Sequence, residues 1–468
     1  MLEALKPNRV FYYFEQLSLI PHGSGNTKAI SDYCVSVAEE LGLPYIQDEL
    51  NNVIIKKPAS KGYEDSPAVI LQGHLDMVCE KAPDCDIDFT RDALRLNIDG
   101  DWVYAEGTTL GGDDGVAIAM TLAILEDNSL SHPPIEAVFT TDEETGMYGA
   151  EGLDGNLLSG RLMMNIDGGE EGILTVGCAG GARAEIRLPA SFERCAAAAY
   201  RITVKGLVGG HSGVEIDKGR LNSNIVMGQF LKTLPDCRIA EIAGGLKDNA
   251  IPVLTRCIVS TEANPADFVE DFIESVRVET DKGLEIEVLP VMSRGVALDD
   301  VSSKRVIEFL TTTPNGIVKM SEVFEQPETS LNLGILGTDA SGIYASFAVR
   351  SAYGAEKEKL LENLREMAEK LGGEFKAYGH YPAWEYKEES VLRDTMCRVY
   401  NKKYGKECQV VTIHAGLECG LFSEKLPGLD AVTIGPDMRD IHTCRERLSI
   451  SSTERVYEFI CDVLGELK

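Results

Sequence analysis

Residues 71–78 read LQGHLDMV, and the reading of this stretch decides the fold. The apolar run PAVILQG (67–73) has the character of a strand and ends abruptly in His74, Leu75 and Asp76. Side chains alternate faces along a strand, so His74 and Asp76 are predicted to point the same way. A strand end meeting solvent would account for the pair. A metal-ligating imidazole with a carboxylate to fix its ring would also account for it. The tripeptide alone leaves both open.

Working outward, KAISDYCVSVAEEL (28–41) repeats apolar residues at helical spacing and is stopped by Gly42. NVIIKK (52–57) and AVILQ (68–72) read as strands, and GVAIAMTLAILED (115–127) as a buried helix. IEAVFTT (135–141) and RLMMNID (161–167) read as two further strands. Strands alternating with helices predict an α/β sheet buried on both faces. Shorter strand and helix signals run from residue 183 to about 381, and the first style returns near 382. The spacing therefore predicts one α/β domain over 1–182 and 382–468, interrupted by an inserted domain over 183–381.

The bulk numbers agree with a folded, multi-domain chain. It has 468 residues, too many for one ordinary core, with 44% hydrophobic and 26% charged residues. A net charge of −30 disfavours nucleic acid and anionic membranes as partners. No apolar run approaches membrane-spanning length, and MLEALKPNRVFYYFEQ lacks the pattern of a secretory signal. A cytoplasmic location is expected. The twelve cysteines include no CxxC pair and read as reduced, mostly buried residues.

Five short segments are predicted to stand at strand ends. They are GHLDMV with His74 and Asp76, TTLGGDDG with Asp113 and Asp114, TTDEETG with Asp142, Glu143 and Glu144, MNIDGGEEG with Asp167, and DIHTCRE with His442. Sites in open α/β sheets gather beyond the carboxyl ends of strands. Each segment alone also reads as a solvated loop or a plain turn. Together they would crowd like charges, which a pair of divalent cations would neutralise. Imidazole and carboxylate suit zinc, with manganese or cobalt as substitutes, and the lack of thiolate argues against a structural zinc site.

These segments occur in the same order in the M20 family of metallopeptidases, which the chain resembles. The resemblance is to its cytosolic aminoacyl-histidine (Xaa-His) dipeptidases. It extends from SLIPHGSGN (18–26) through GCAGG, GGHSGVEI and DNAIP to IHAGLECGLF (413–422). It implies a mixed central sheet flanked by helices, with an inserted α+β lid; residues 183–381 are about twice as long as one four-stranded, two-helix layer needs, which predicts two ferredoxin-like halves. It implies two zinc ions bridged by Asp113. One is held by His74, Asp113 and Asp167, the other by Asp113, Glu144 and His442. Asp76 is expected to hydrogen-bond the His74 ring, and Glu143 to act as general base.

Relatives commonly have Ala-Asp-Asn-Gly where this chain has Gly112-Asp113-Asp114-Gly115, and Asp114 is expected to point away from the metals. A cis peptide between Asp113 and Asp114 is expected. The resemblance also implies substrate contacts from His211, Asn249, Arg350 and Gly416. His211 is expected at an oxyanion and Arg350 at the peptide's C-terminal carboxylate. His414 has no assigned role. The expected activity is hydrolysis of unsubstituted dipeptides, Xaa-His and carnosine-like ones included. The alternatives are an N-acyl amino acid deacylase, a broader di- and tripeptidase, or a non-catalytic binding protein on the same fold. A monomer or homodimer is expected, with His211 serving its own chain.

Overall fold

The computed structural model describes residues 2–293 and 295–468, which form two compact units. The first comprises the chain up to Gly177 together with Tyr386–Thr412 and Leu417–Lys468. Its centre is an eight-stranded mixed sheet. Val69–His74 lies between Ile135–Thr140 and Leu162–Asn165, parallel to both, and Leu162–Asn165 runs parallel to Asp430–Thr433. Val53–Lys57 and Tyr45–Gln47 extend one side antiparallel. All six residues of Val69–His74 and all six of Ile135–Thr140 are buried. This matches their unbroken apolar character, because a parallel strand covered on both faces needs no polar alternation.

The carboxyl ends of three adjacent parallel strands therefore lead into His74, into Asp142–Glu144 and into Asp167. The other two segments are placed differently. GGDDG opens the helix Gly112–Glu126, within which Asp113 and Asp114 keep non-helical angles. The Asp113–Asp114 peptide is cis. His442 sits in the turn between Met438–Arg439 and Arg447–Ser449, two strands of a separate four-stranded sheet, with a φ of 63°. Gly73 is where the helix start meets the central sheet: a Cβ there would lie 2.5 Å from Asp114 Oδ2 and 2.6 Å from the Ala117 Cβ.

The second unit comprises Cys178–Glu385 and Ile413–Gly416. Its nine-stranded sheet is two ferredoxin-like halves joined edge to edge. In one half, Ala199–Lys205, helix Ser223–Thr233, Arg238–Gly244, Thr255–Ser260, helix Val269–Val276 and Glu285–Val291 follow a βαββαβ order, with the fourth strand beside the first. The other half uses Gly180–Pro189, helix Asp300–Thr312, Pro327–Asp339, Gly342–Ser351, helix Gly354–Lys370 and Glu374–Tyr381 in the same order. The first half is thus nested inside the second, after its first strand. Ala243 and Gly244 pair with Gly337 and Leu336 to join them. Phe230, Phe272, Phe309 and Leu364, one from each helix, share one core with Ile202, Val259, Leu333 and Phe347 of the sheet.

Candidate active site

In the first unit the predicted ligands converge. Asp113 directs Oδ1 to within 3.0 Å of His74 Nε2 and Oδ2 to within 3.2 Å of His442 Nε2. Asp167 Oδ1 lies 3.9 Å from His74 Nε2, and Glu144 Oε1 lies 2.9 Å from His442 Nε2. One carboxylate thus faces two imidazoles, each of which has a further carboxylate beside it. Ligand atoms of His74, Asp113 and Glu144 lie within 4.8 Å of one another, as do those of His74, Asp114 and Asp167.

Two expectations need correction. Strand alternation does not govern Asp76, because the strand ends at His74 and Asp76 lies in the turn beyond it. His74 Nδ1 sits 2.9 Å from the Asp76 backbone carbonyl, with the Asp76 carboxylate at 3.6 Å. Besides facing the ring, that carboxylate accepts N–H from Glu143 (3.0 Å) and Glu144 (3.3 Å) and the hydroxyl of Ser24 (2.7 Å). Asp76 therefore ties the Glu143–Glu144 turn to the His74 ring. Asp114 is buried behind His74 rather than turned away, accepting the His74 N–H on Oδ2 at 3.2 Å, and its Oδ1 has no partner.

Burial pushes the Asp167 carboxyl well above the usual range, and the neighbouring charges of Asp113 and Asp114 add to it. Burial raises Asp114 in the same way. Glu143 is pushed up to about 8 by burial, against His74 and with help from Glu418, Glu144 and Asp113. So much carboxylate around two imidazoles, with an orphaned oxygen on Asp114, is what divalent cations would neutralise. The donors, imidazole nitrogen and carboxylate oxygen, fit zinc, manganese or cobalt.

Two supporting carboxylates had no role in the sequence reading, although the resemblance includes Glu446 in its late motif. Glu446 is buried and accepts N–H from Leu110 (2.8 Å), Gly111 (3.3 Å), Gly112 (2.8 Å) and Asp113 (3.3 Å). It holds the loop that carries Asp113, four residues on from His442. Its only sequence signal is its place in HTCRE. Glu418 is fully buried and accepts hydrogen bonds from Gln72 Nε2 (2.5 Å) and Thr140 Oγ1 (2.7 Å). Burial raises it to about 7.

The second unit gathers the remaining predicted residues. His211 Nδ1 accepts N–H from Gly213 (3.1 Å) and Val214 (3.3 Å), which places the ring proton on Nε2. Burial, then the Arg350 charge, lower its pKa, so the ring is a neutral Nε2–H donor. Asn249 is exposed beside it, its carbonyl accepting the Ser212 N–H at 2.9 Å. Arg350 is only 9% exposed, makes no ion pair with an acid among the described residues, and its Nε is buried without a partner. A buried cation in that state is prepared for an anion. His414, left without a role by the sequence, is held by Ser330 Oγ at 2.7 Å. Gly416 serves as a wall: a Cβ there would lie 2.8 Å from the Tyr381 ring.

Comparison with known proteins agrees with this geometry. Residues 70–466 match Peptidase family M20/M25/M40. The chain belongs to that family. The peptidase is 34% identical to the cytosol non-specific dipeptidase of Escherichia coli (strain K12), over 100% of this chain and 99% of that one. It is also 34% identical to the crystal structure of aminoacylhistidine dipeptidase from Vibrio alginolyticus, with a TM-score of 0.91 over 100% of this chain and 98% of that one. Aminopeptidase PepT from Bacillus cereus shares the fold at 15% identity, with a TM-score of 0.57 over 99% of each chain. The peptidase is accordingly a peptide hydrolase of a metal-dependent family.

Proposed function

We propose that this peptidase is a dinuclear zinc dipeptidase that cleaves unsubstituted dipeptides, Xaa-His among them. The observation that carries the reading is the Asp113 carboxylate, with one oxygen 3.0 Å from His74 and the other 3.2 Å from His442. His74, Asp113 and Asp167 would hold one cation, and Asp113, Glu144 and His442 the other. When bound, such a pair polarises the scissile carbonyl and acidifies water. Glu143 takes the proton of the attacking water and returns it to the leaving amine, a task suited to a carboxylate whose pKa burial has raised. Asp76 holds the turn that aims it. His211, as a neutral donor, stabilises the developing oxyanion. Arg350 takes the C-terminal carboxylate, which supplies the anion its buried guanidinium lacks. The first unit then carries the hydrolytic chemistry, and the second the handling of substrate, with the boundaries at 177/178 and 385/386 rather than 182/183 and 381/382 and with Ile413–Gly416 added to the second.

The names of the two relatives at 34% identity support a dipeptide substrate, and that of the Escherichia coli relative a cytoplasmic location. Among the described residues no helix is long and apolar enough to cross a membrane. The test is a substrate panel with zinc, manganese or cobalt added: Xaa-His dipeptides, other dipeptides, a tripeptide and an N-acyl amino acid. Dipeptides with a free amino group should be cleaved fastest. Faster cleavage of the N-acyl amino acid would make the protein a deacylase instead.

A further inference from the structure

Four paired residues cross the second unit's sheet in one row: Ser330 opposite Arg350, Arg350 opposite Gly181, and Gly181 opposite Tyr381. Directly paired residues share a face. Leu331 and Val349, the chain neighbours of Ser330 and Arg350, belong to the helix-covered core. The row therefore lies on the other face of the sheet. Gly181 leaves a gap in this row, and the Tyr381 ring fills it: a Cβ on Gly181 would lie 2.3 Å from Tyr381 Oη. Across the gap Arg350 Nη1 donates to Tyr381 Oη at 2.6 Å. Gly416 flanks the same ring. Lys357 Nζ donates to the Tyr381 carbonyl at 3.3 Å.

The register makes this placement specific. Glu374 to Tyr378 pair in step with Arg187 to Arg183, and an irregularity before Tyr381 sets it opposite Gly181. In uninterrupted register His380 would stand there. Gly379, with a φ of 59°, lies within the irregular stretch, a device that re-aims the following side chain. Burial raises the Tyr381 pKa, so the phenol keeps its proton while its oxygen accepts from Arg350.

We propose that Tyr381 is the second arm of the subsite for the substrate's C-terminal carboxylate: its oxygen holds the Arg350 guanidinium, and its own O–H donates to the incoming carboxylate. This rests on the reading of Arg350 given above. The subsite so built is selective for a free acid over a C-terminal amide, because Arg350 and Tyr381 both aim protons at it and an amide brings no charge and an NH2 of its own.

The test measures kcat and KM for a dipeptide and for its C-terminal amide in the unaltered protein, Tyr381→Phe and Arg350→Met. Phenylalanine keeps the ring between Gly181 and Gly416 and deletes only the oxygen. Losing one charge-assisted hydrogen bond should raise KM for the free acid about tenfold. The kcat and the kinetics of the amide should be unchanged. Gly181→Ala, which displaces the ring, should show the same selective loss and serves if Tyr381→Phe folds poorly. A merely structural role would weaken both substrates alike. Equal losses or no loss in Tyr381→Phe, with selective loss in Arg350→Met, would overturn the role of Tyr381 and leave that of Arg350. No selectivity change in Arg350→Met would overturn both.

Discussion

Glu446→Gln tests how far the ligand cluster depends on one buried carboxylate that holds its backbone. The two oxygens of Glu446 accept four backbone N–H groups, the two shortest at 2.8 Å from Leu110 and Gly112. Glutamine keeps one acceptor oxygen and turns an NH2 toward the other pair of donors. An unsatisfied buried donor costs about 1–3 kcal/mol, so two cost about 2–6 kcal/mol. The loop relieves part of this by moving outward, and Asp113 moves with it. If only about 1.4 kcal/mol falls on the placement of Asp113, cation affinity drops about tenfold. Competition with a chelator measures that affinity, and melting of the metal-free protein measures the remainder. The variant should bind its cations about tenfold more weakly and melt earlier. Affinity and melting both equal to the unaltered protein would refute the reasoning.

Burial lowers the His414 pKa to about 4, and its ring is only 4% exposed. The folded value lies below the unfolded one, so the unfolded chain takes up the proton first. The stability this neutral ring permits is complete above pH ~6.5 and is lost as pH falls toward ~4, by about 3 kcal/mol in all. Denaturant titrations at pH 7 and 4.5 should show the stability gap between the unaltered protein and His414→Asn narrowing at the lower pH; a gap that does not move with pH would contradict this. If His211 serves its own chain, mixing inactive His211→Ala with inactive Glu143→Gln under subunit-exchange conditions restores no activity, and recovery would show that His211 acts across a dimer.

The strand-end ligands were legible because their cause is local. His74, Glu143, Glu144 and Asp167 each follow an apolar run that forms a buried parallel strand. Asp113 and His442 do not follow such strands; clustered carboxylate and imidazole marked their segments, and the resemblance assigned them as ligands. Asp76 stands beside the His74 ring for a reason other than alternation, because the strand ends at His74 and the chain beyond it places the carboxylate. The nesting of one ferredoxin-like half inside the other was hidden for a different reason: Gly180–Pro189 pairs with Gly342–Ser351 and Glu374–Tyr381, partners far along the chain that no periodicity reveals. Tyr381 was invisible because a single irregularity decides whether it or His380 faces Gly181. The roles of Glu446 and Glu418 were hidden, since burial of a carboxylate is a property of the fold.

The central claim is that Glu143 moves the proton in a reaction run at a two-cation centre. Glu143→Gln keeps the shape of the side chain and removes its basicity. Metal content and kcat, measured together on the same metal-replete sample, test the claim most directly. Two equivalents of metal should be retained, and kcat should fall by about 100- to 10,000-fold. A kcat near that of the unaltered protein, with both metals in place, would contradict it.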